Sequence, residues 1–164
     1  MPFFSLRVRK AFTACLLALL AGCVTTPPTV EQPSARAVPS EALNADVRQD
    51  TIHQTICVPG YTASVRPAAS YTNGVKRRLV REQSMPDAQA ADYELDHRVP
   101  LALGGHPRAL VNLGLQPWPD AKRKDVLEKR LQGLVCGGKV GLAVAQSEIY
   151  FDWTAAHRKY VGER

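Results

Sequence analysis

An acid, an imidazole and a carboxamide stand at close intervals in the middle of this chain. The run is Tyr93-Glu94-Leu95-Asp96-His97-Arg98-Val99-Pro100-Leu101, followed by Gly104-Gly105 and then Asn112-Leu113. An imidazole titrates near neutral pH and can take a proton from water. A carboxylate is a hard oxygen donor suited to a divalent cation. The chemistry such a set could do is metal-assisted hydrolysis of a phosphodiester. That reaction needs an activated water, a cation against the charge developing on the phosphoryl oxygens, and help for the leaving oxygen.

The elements around these residues must hold them together. Leu95 between polar neighbours and the Val99-Pro100-Leu101 run read as extended chain. Gly104-Gly105 makes a turn, and a second extended piece is expected around Leu110 to Leu113, as a hairpin or an Ω-like connection. Trp118-Pro119-Asp120 punctuates the chain, and Asp120 is expected to cap a helix running to about Val135. Leu127, Leu131, Leu134 and Val135 share one face of that helix, and Gly137-Gly138 stops it. Leu142, Ala145, Ile149, Trp153, Ala156 and Tyr160 recur at helical spacing and predict a long final helix. Upstream, order is expected from about Asp46. A strand is predicted over Thr51 to Val58, a turn at Pro59-Gly60, and a helix capped by Thr72 with Val75, Leu79 and Val80 inward. Ser84 to Ala91 reads as loop.

Asp96-His97, the Val-Pro-Leu run, Gly104-Gly105 and Asn112-Leu113 resemble the HNH endonuclease motif, a ββα-metal finger shared with colicin nucleases. Ile56-Cys57-Val58-Pro59-Gly60-Tyr61, Tyr71-Thr72-Asn73 and Asp152-Trp153 are similar to segments of small bacterial HNH-like proteins. The resemblance implies an α+β fold: an HNH-like ββα finger embedded in a small, mostly helical domain with one disulfide. It implies His97 as general base, Asp96 as first metal ligand, and Asn112 as the residue that ties the hairpin and orients the base. Arg98 would contact the scissile phosphate or form a surface ion pair. The chain departs from the family on the helix, where the usual ligand position holds Ala121. The next such position holds Asp125, on the expected face of Ala121 and Glu128. Asp96, Asp125 and Glu128 are therefore the candidate ligands, an all-oxygen set that favours Mg²⁺ or Mn²⁺ over Zn²⁺.

The 164 residues allow one domain of ordinary size. Residues 1–22 read as a lipoprotein signal peptide: Arg7, Arg9 and Lys10, then an apolar run too short to span a bilayer, then Leu20-Ala21-Gly22-Cys23. The last four resemble the bacterial lipobox, which implies lipidation at Cys23 and a chain anchored in the bacterial envelope. Val24, where an inner-membrane retention signal has Asp, implies the outer membrane. Residues 23–45 are rich in Pro, Thr, Ser and Ala and read as a disordered tether, leaving 46–164 as the HNH-like nuclease domain. Export leaves Cys57 and Cys136 as the free pair, and two thiols in an oxidising compartment are expected to form a disulfide. A two-cysteine zinc site would need paired spacing that is absent.

Loss of the signal removes three basic residues and no acids, so the formal charge of +6 falls to 18 − 15 = +3. Lys76, Arg77 and Arg78 on one side of the motif, and Lys122, Arg123 and Lys124 on the other, are the candidates for meeting a phosphate backbone. The competing reading makes them solvated helix faces. His106 reads as a solvated loop histidine, and Trp118 and Trp153 as core aromatics. No recognition helix or finger array is present to read base sequence, and no protein partner is identifiable. Two functions are expected in competition. One is an envelope-anchored, metal-dependent endonuclease of low sequence specificity, cutting DNA or RNA. The other is a non-catalytic HNH-like lipoprotein that binds nucleic acid, a protein partner or the cell wall.

Overall fold

A computed structural model describes residues 36–163. The segment expected to be a signal peptide, Cys23 and the first part of the expected tether lie outside the described residues. Among the described residues there are five α-helices and one two-stranded antiparallel sheet. In chain order these are α1 (Tyr61–Val65), α2 (Ala69–Glu82), α3 (Asp87–Ala90), β1 (Tyr93–His97), β2 (Leu113–Pro117), α4 (Trp118–Cys136) and α5 (Leu142–Tyr160). β1 and β2 pair with Tyr93 opposite Pro117, Leu95 opposite Leu115 and His97 opposite Leu113. The domain is therefore small and mostly helical around a short hairpin. None of its helices is long and apolar enough to cross a membrane.

The core lies between α4, α5 and the turns before α1. Leu127, Leu131 and Val135 of α4 pack with Leu142, Ala145, Ile149 and Ala156 of α5, with Val99 and Leu103 from the loop after β1, and with Val47, Ile52 and Ile56. Cys57 and Cys136 form the disulfide, 79 residues apart in sequence, and join the turn before α1 to the last residue of α4. Closing a loop of that length contributes roughly 4 kcal/mol in the chain-entropy picture.

Several elements differ from expectation, each for a local reason. Thr51 to Val58 is not a strand but a series of turns with a 3-10 segment at Ile52–Gln54. The Thr51 hydroxyl accepts the Arg48 N–H at 2.8 Å and donates to the Asp46 carbonyl at 2.7 Å, which commits the backbone to a turn. Ile52 and Ile56 are both buried, four residues apart, a spacing that belongs to helical turns. Order begins before Asp46: Ser40–Ala42 is a 3-10 turn, Ala42 is fully buried, and Leu43 bridges to Gly105. α2 starts at Ala69, three residues before Thr72, and the 84–91 loop contains α3. The segment Leu110–Asn112 is a 3-10 turn, so the second strand begins only at Leu113.

α4 begins at Trp118 with Pro119 and Asp120 in its first turn, three residues earlier than a cap at Asp120 would give. Proline's fixed φ and missing N–H suit that first turn, and the Asp120 carboxylate suits the positive end of the helix dipole. The final helix is two helices joined at Asp152, whose φ of −154° and ψ of 78° are not helical. The Asp152 carboxylate accepts the Thr154 hydroxyl at 2.7 Å and the Ala155 N–H at 2.9 Å, so it caps the second half.

Candidate functional site

The loop between the strands is built around two glycines and an asparagine. Gly104 has a φ of +77°, and a Cβ there would strike Val47. A Cβ on Gly105 would collide with the Val99 carbonyl and the Asn112 carboxamide. Only glycine lets the backbone come this close. Asn112 is completely buried. Its Oδ1 accepts the Val99 N–H at 2.8 Å, and its Nδ2 donates to the Val99 carbonyl at 3.0 Å and the His106 carbonyl at 3.1 Å. The His106 ring closes the same loop, with Nδ1 accepting the N–H groups of Arg108 and Ala109. Asn112 thus holds the loop and does not reach the cleft.

That clamp sets the imidazole of His97. The residue beside His106 is Pro107, whose carbonyl lies 3.0 Å from His97 Nε2. A carbonyl can only accept, so Nε2 carries the proton and Nδ1 keeps the lone pair. Burial lowers the pKa of His97 below its ordinary 6.5, against the opposing pull of the Pro107 bond and Asp96. At neutral pH the ring is therefore neutral. Asn112 acts on His97 at one remove, through the placement of Pro107.

His97 lines a cleft of about 620 Å³ between α2, β1 and α4. Asp96, Glu94, Asp125 and Glu128 bring four carboxylates to its wall, while Arg66, Lys76 and Lys129 supply cations. Lys76 is tied to β1 through a 2.6 Å bond to the Tyr93 carbonyl. Neither Arg66 nor Glu94 stood out in the sequence. Arg66 is isolated from the basic runs, and Glu94 is two strand positions from the acid that attracted attention. Burial raises the pKa of Glu94, with Asp96 and Asp125 adding to the shift.

Lys124 is not at the surface. Grouped by sequence with Lys122 and Arg123 as a phosphate contact, it is 2% exposed and is the largest fully buried side chain of the domain. Its Nζ donates to Asp96 Oδ2 at 2.9 Å, Glu128 Oε1 at 2.7 Å and the His97 carbonyl at 2.7 Å. All three ammonium protons are used. Burial alone would lower the Lys124 pKa, but Glu128 and Asp96 outweigh it and raise it, so the group stays charged. Glu128 is pushed up to about 7 by burial, which Lys124 opposes and Asp96 and Asp125 reinforce.

The expected face of α4 also divides. Ala121 is buried, Glu128 points to Lys124, and Asp125 is exposed at the cleft wall. Asp96 Oδ1 is engaged by the N–H of His97 at 2.7 Å, and its Oδ2 by Lys124. Among the described residues no group of three or more His, Cys, Asp or Glu side chains is spaced to hold a metal ion. As they stand, these donors do not fit a divalent cation.

Arg98 lies apart from the cleft. It borders a smaller depression of about 320 Å³ with Gln116, Tyr150 and Trp153, its guanidinium 5.9 Å from the Tyr150 ring centre. Arg77, Lys122 and Arg123 are exposed, Arg123 lying 5.5 Å from the Trp153 ring centre, and Arg78 pairs with Glu82 on its own helix. The chain matches no protein-family model, no curated protein and no solved structure.

Proposed function

We propose that this chain is an HNH-like endonuclease that hydrolyses phosphodiester bonds of DNA, or of RNA, with low sequence specificity, held at the bacterial envelope through lipid on Cys23. The strand, strand, helix order of β1, β2 and α4 supports the ββα reading of the fold. The observation that carries the function is the His97 ring, fixed as the neutral Nε2–H tautomer by Pro107 on the wall of a cleft with a cationic rim. In this reading a water attacks phosphorus and gives its proton to His97 Nδ1, while the P–O bond to the leaving sugar oxygen breaks and that oxygen takes a proton from solvent water. Arg66, Lys76 and Lys129 attract the phosphate backbone and offset charge on its non-bridging oxygens. Nothing in this scheme reads bases, in keeping with low specificity.

The test is nicking of supercoiled plasmid by the purified protein with Mg²⁺, with Mn²⁺ and with chelator. His97→Ala is expected to abolish nicking while leaving the thermal unfolding midpoint within a few degrees. No nicking under any of these conditions would sink the enzyme reading. One observation favours a second reading, a non-catalytic scaffold that binds nucleic acid, a protein partner or the cell wall. The carboxylates Asp96 and Glu128 already hold Lys124 and leave no ready ligand trio. On that reading the cleft binds without cutting, and His97→Ala leaves binding intact.

A further inference from the structure

A divalent ion ligated by Asp96 and Glu128 would need oxygens from both carboxylates at about 2.0–2.1 Å for Mg²⁺. Three oxygens from β1 and α4 do converge, those of Asp96, Glu128 and the His97 carbonyl, and at their meeting point stands the Lys124 ammonium. The Lys124 stem enters from α4 one turn before Glu128, which gives the pair i,i+4 spacing on one helix. Its charge lies within hydrogen-bond reach of the backbone of His97, the residue whose ring lines the cleft. We infer that Lys124 is the resident cation of the Asp96–Glu128 pair: a covalently tethered charge takes the place where a divalent ion would be ligated, and holds β1 to α4 in its stead.

Lys124 is 2% exposed and borders the smaller depression beside Arg98, not the cleft that the His97 ring lines, so its role is positioning. It fixes the carboxylate beside His97 and the backbone from which the imidazole projects. The inference deepens the hydrolytic reading of the cleft and rests on it for meaning, but its tests do not use cleavage. A divalent ion at these carboxylates would lie against a positive charge that cannot diffuse away, so the intact protein should not ligate one there. Removing the ammonium leaves two carboxylates and a carbonyl facing the space it filled, an oxygen-lined site suited to Mg²⁺ or Mn²⁺.

Mn²⁺ is the probe, and its free electron-paramagnetic-resonance signal in the presence of full-length protein reports binding. Wild type is expected to bind Mn²⁺ no better than Asp96→Asn. Lys124→Ala is expected to bind Mn²⁺ on the order of tenfold or more tighter than wild type, through the lost repulsion, and Lys124→Ala with Asp96→Asn is expected to lose that gain. Saturable binding by wild type that Asp96→Asn abolishes would overturn the inference. So would a folded Lys124→Ala protein with no gain. Should Lys124→Ala fail to fold, the Lys124 ammonium resonance of wild type decides instead. Hydrogen-bonded on all three protons, it should be slow to exchange and unmoved by millimolar Mg²⁺, and its displacement by Mg²⁺ would overturn the assignment. None of these readouts depends on cleavage, so failure of the nuclease reading leaves them intact, and the converse holds as well.

Discussion

Two buried polar networks lie against the same pair of strands, and they are built on opposite plans. Asn112 is neutral and answers only to backbone: the Val99 N–H, the Val99 carbonyl and the His106 carbonyl, all within 13 residues of it. Lys124 is charged and answers mainly to side chains, joining α4 to β1 across 28 residues of sequence. Both satisfy every group at their centre, as buried polar groups must. Only the second has a charge imbalance, with two carboxylates on one ammonium and Asp125 close enough to raise the pKa values of Glu94 and Glu128. The Asn112 carboxamide has no proton to gain or lose in the ordinary pH range, whereas the charged network is open to protons.

The largest effect expected from breaking this contrast comes from Lys124→Ala. It strands two largely buried carboxylates, a loss of about 3–5 kcal/mol in urea unfolding at neutral pH. Because the cause is uncompensated charge, Glu128→Gln in the same chain should recover part of the loss. A double-mutant cycle with no coupling between the two positions would contradict the network. Asn112→Ala should cost somewhat less, about 2–4 kcal/mol, since it leaves the Val99 and His106 groups without partners but strands no charge. Its cost should be the same at pH 7 and pH 9, a range that spans the ionisation of Glu128 and lies above that of His97. A clear pH dependence would show that the two networks are not separate.

The third effect follows from Glu128. Its carboxyl is raised from 4.5 to about 7, so the folded state holds that proton where the unfolded chain has released it. Stability from this group is present below the unfolded value and is lost as pH rises through the folded one, over roughly pH 4.5 to 7. The loss is about 3 kcal/mol, the opposing pull of Lys124 being already contained in the value near 7. Relative to Glu128→Gln, wild type should therefore lose stability between pH 5 and pH 8. A difference that grows in the opposite direction would mean the ion pair dominates burial.

The contrast also explains what could be read in the chain before its fold was known. The glycine turn was legible because its parts are local, whereas the clamp at Asn112 was expected only because the resemblance to the HNH motif implies a residue there that ties the hairpin. The disulfide was legible because two thiols had no other partners. Ile52 and Ile56 carried a helical spacing that the β-branched composition of the segment obscured. Lys124 was not legible. A lysine between Arg123 and Asp125 reads as surface, and only the seating of α4 on β1 turns it inward among acids far away in sequence. Arg66 was invisible for the same reason, since it meets the cleft only through the packing of α1 on the Leu101–Leu103 turn and of α2 on the two strands. Short-range polar order can be deduced from types and intervals. Buried charge is a property of tertiary contact, and a run of like charges conceals the one member that is different.

The smallest effect, and the one closest to function, concerns the pH at which His97 titrates. Burial holds its pKa below 6.5, with the Pro107 bond and Asp96 resisting the shift. The lowered value means the unprotonated ring contributes stability that is present above 6.5 and declines as pH falls through the unfolded value toward the folded one. It also means that a base at this position is ready at neutral pH. If His97 accepts the proton of water, kcat/KM for plasmid or oligonucleotide cleavage should rise with pH along a limb centred below 6.5 and be flat through pH 7 to 8. Asn112→Ala sharpens the comparison here. By loosening the His106–Pro107 turn it should release Nε2 from its carbonyl, let the ring hydrate, and move that limb up toward 6.5 while kcat falls. A structural role for Asn112 alone would lower the amount of folded protein without moving the limb. A limb above pH 7 in wild type, or an Asn112→Ala profile that overlays wild type after correction for folded protein, would break the link from the neutral clamp to the imidazole.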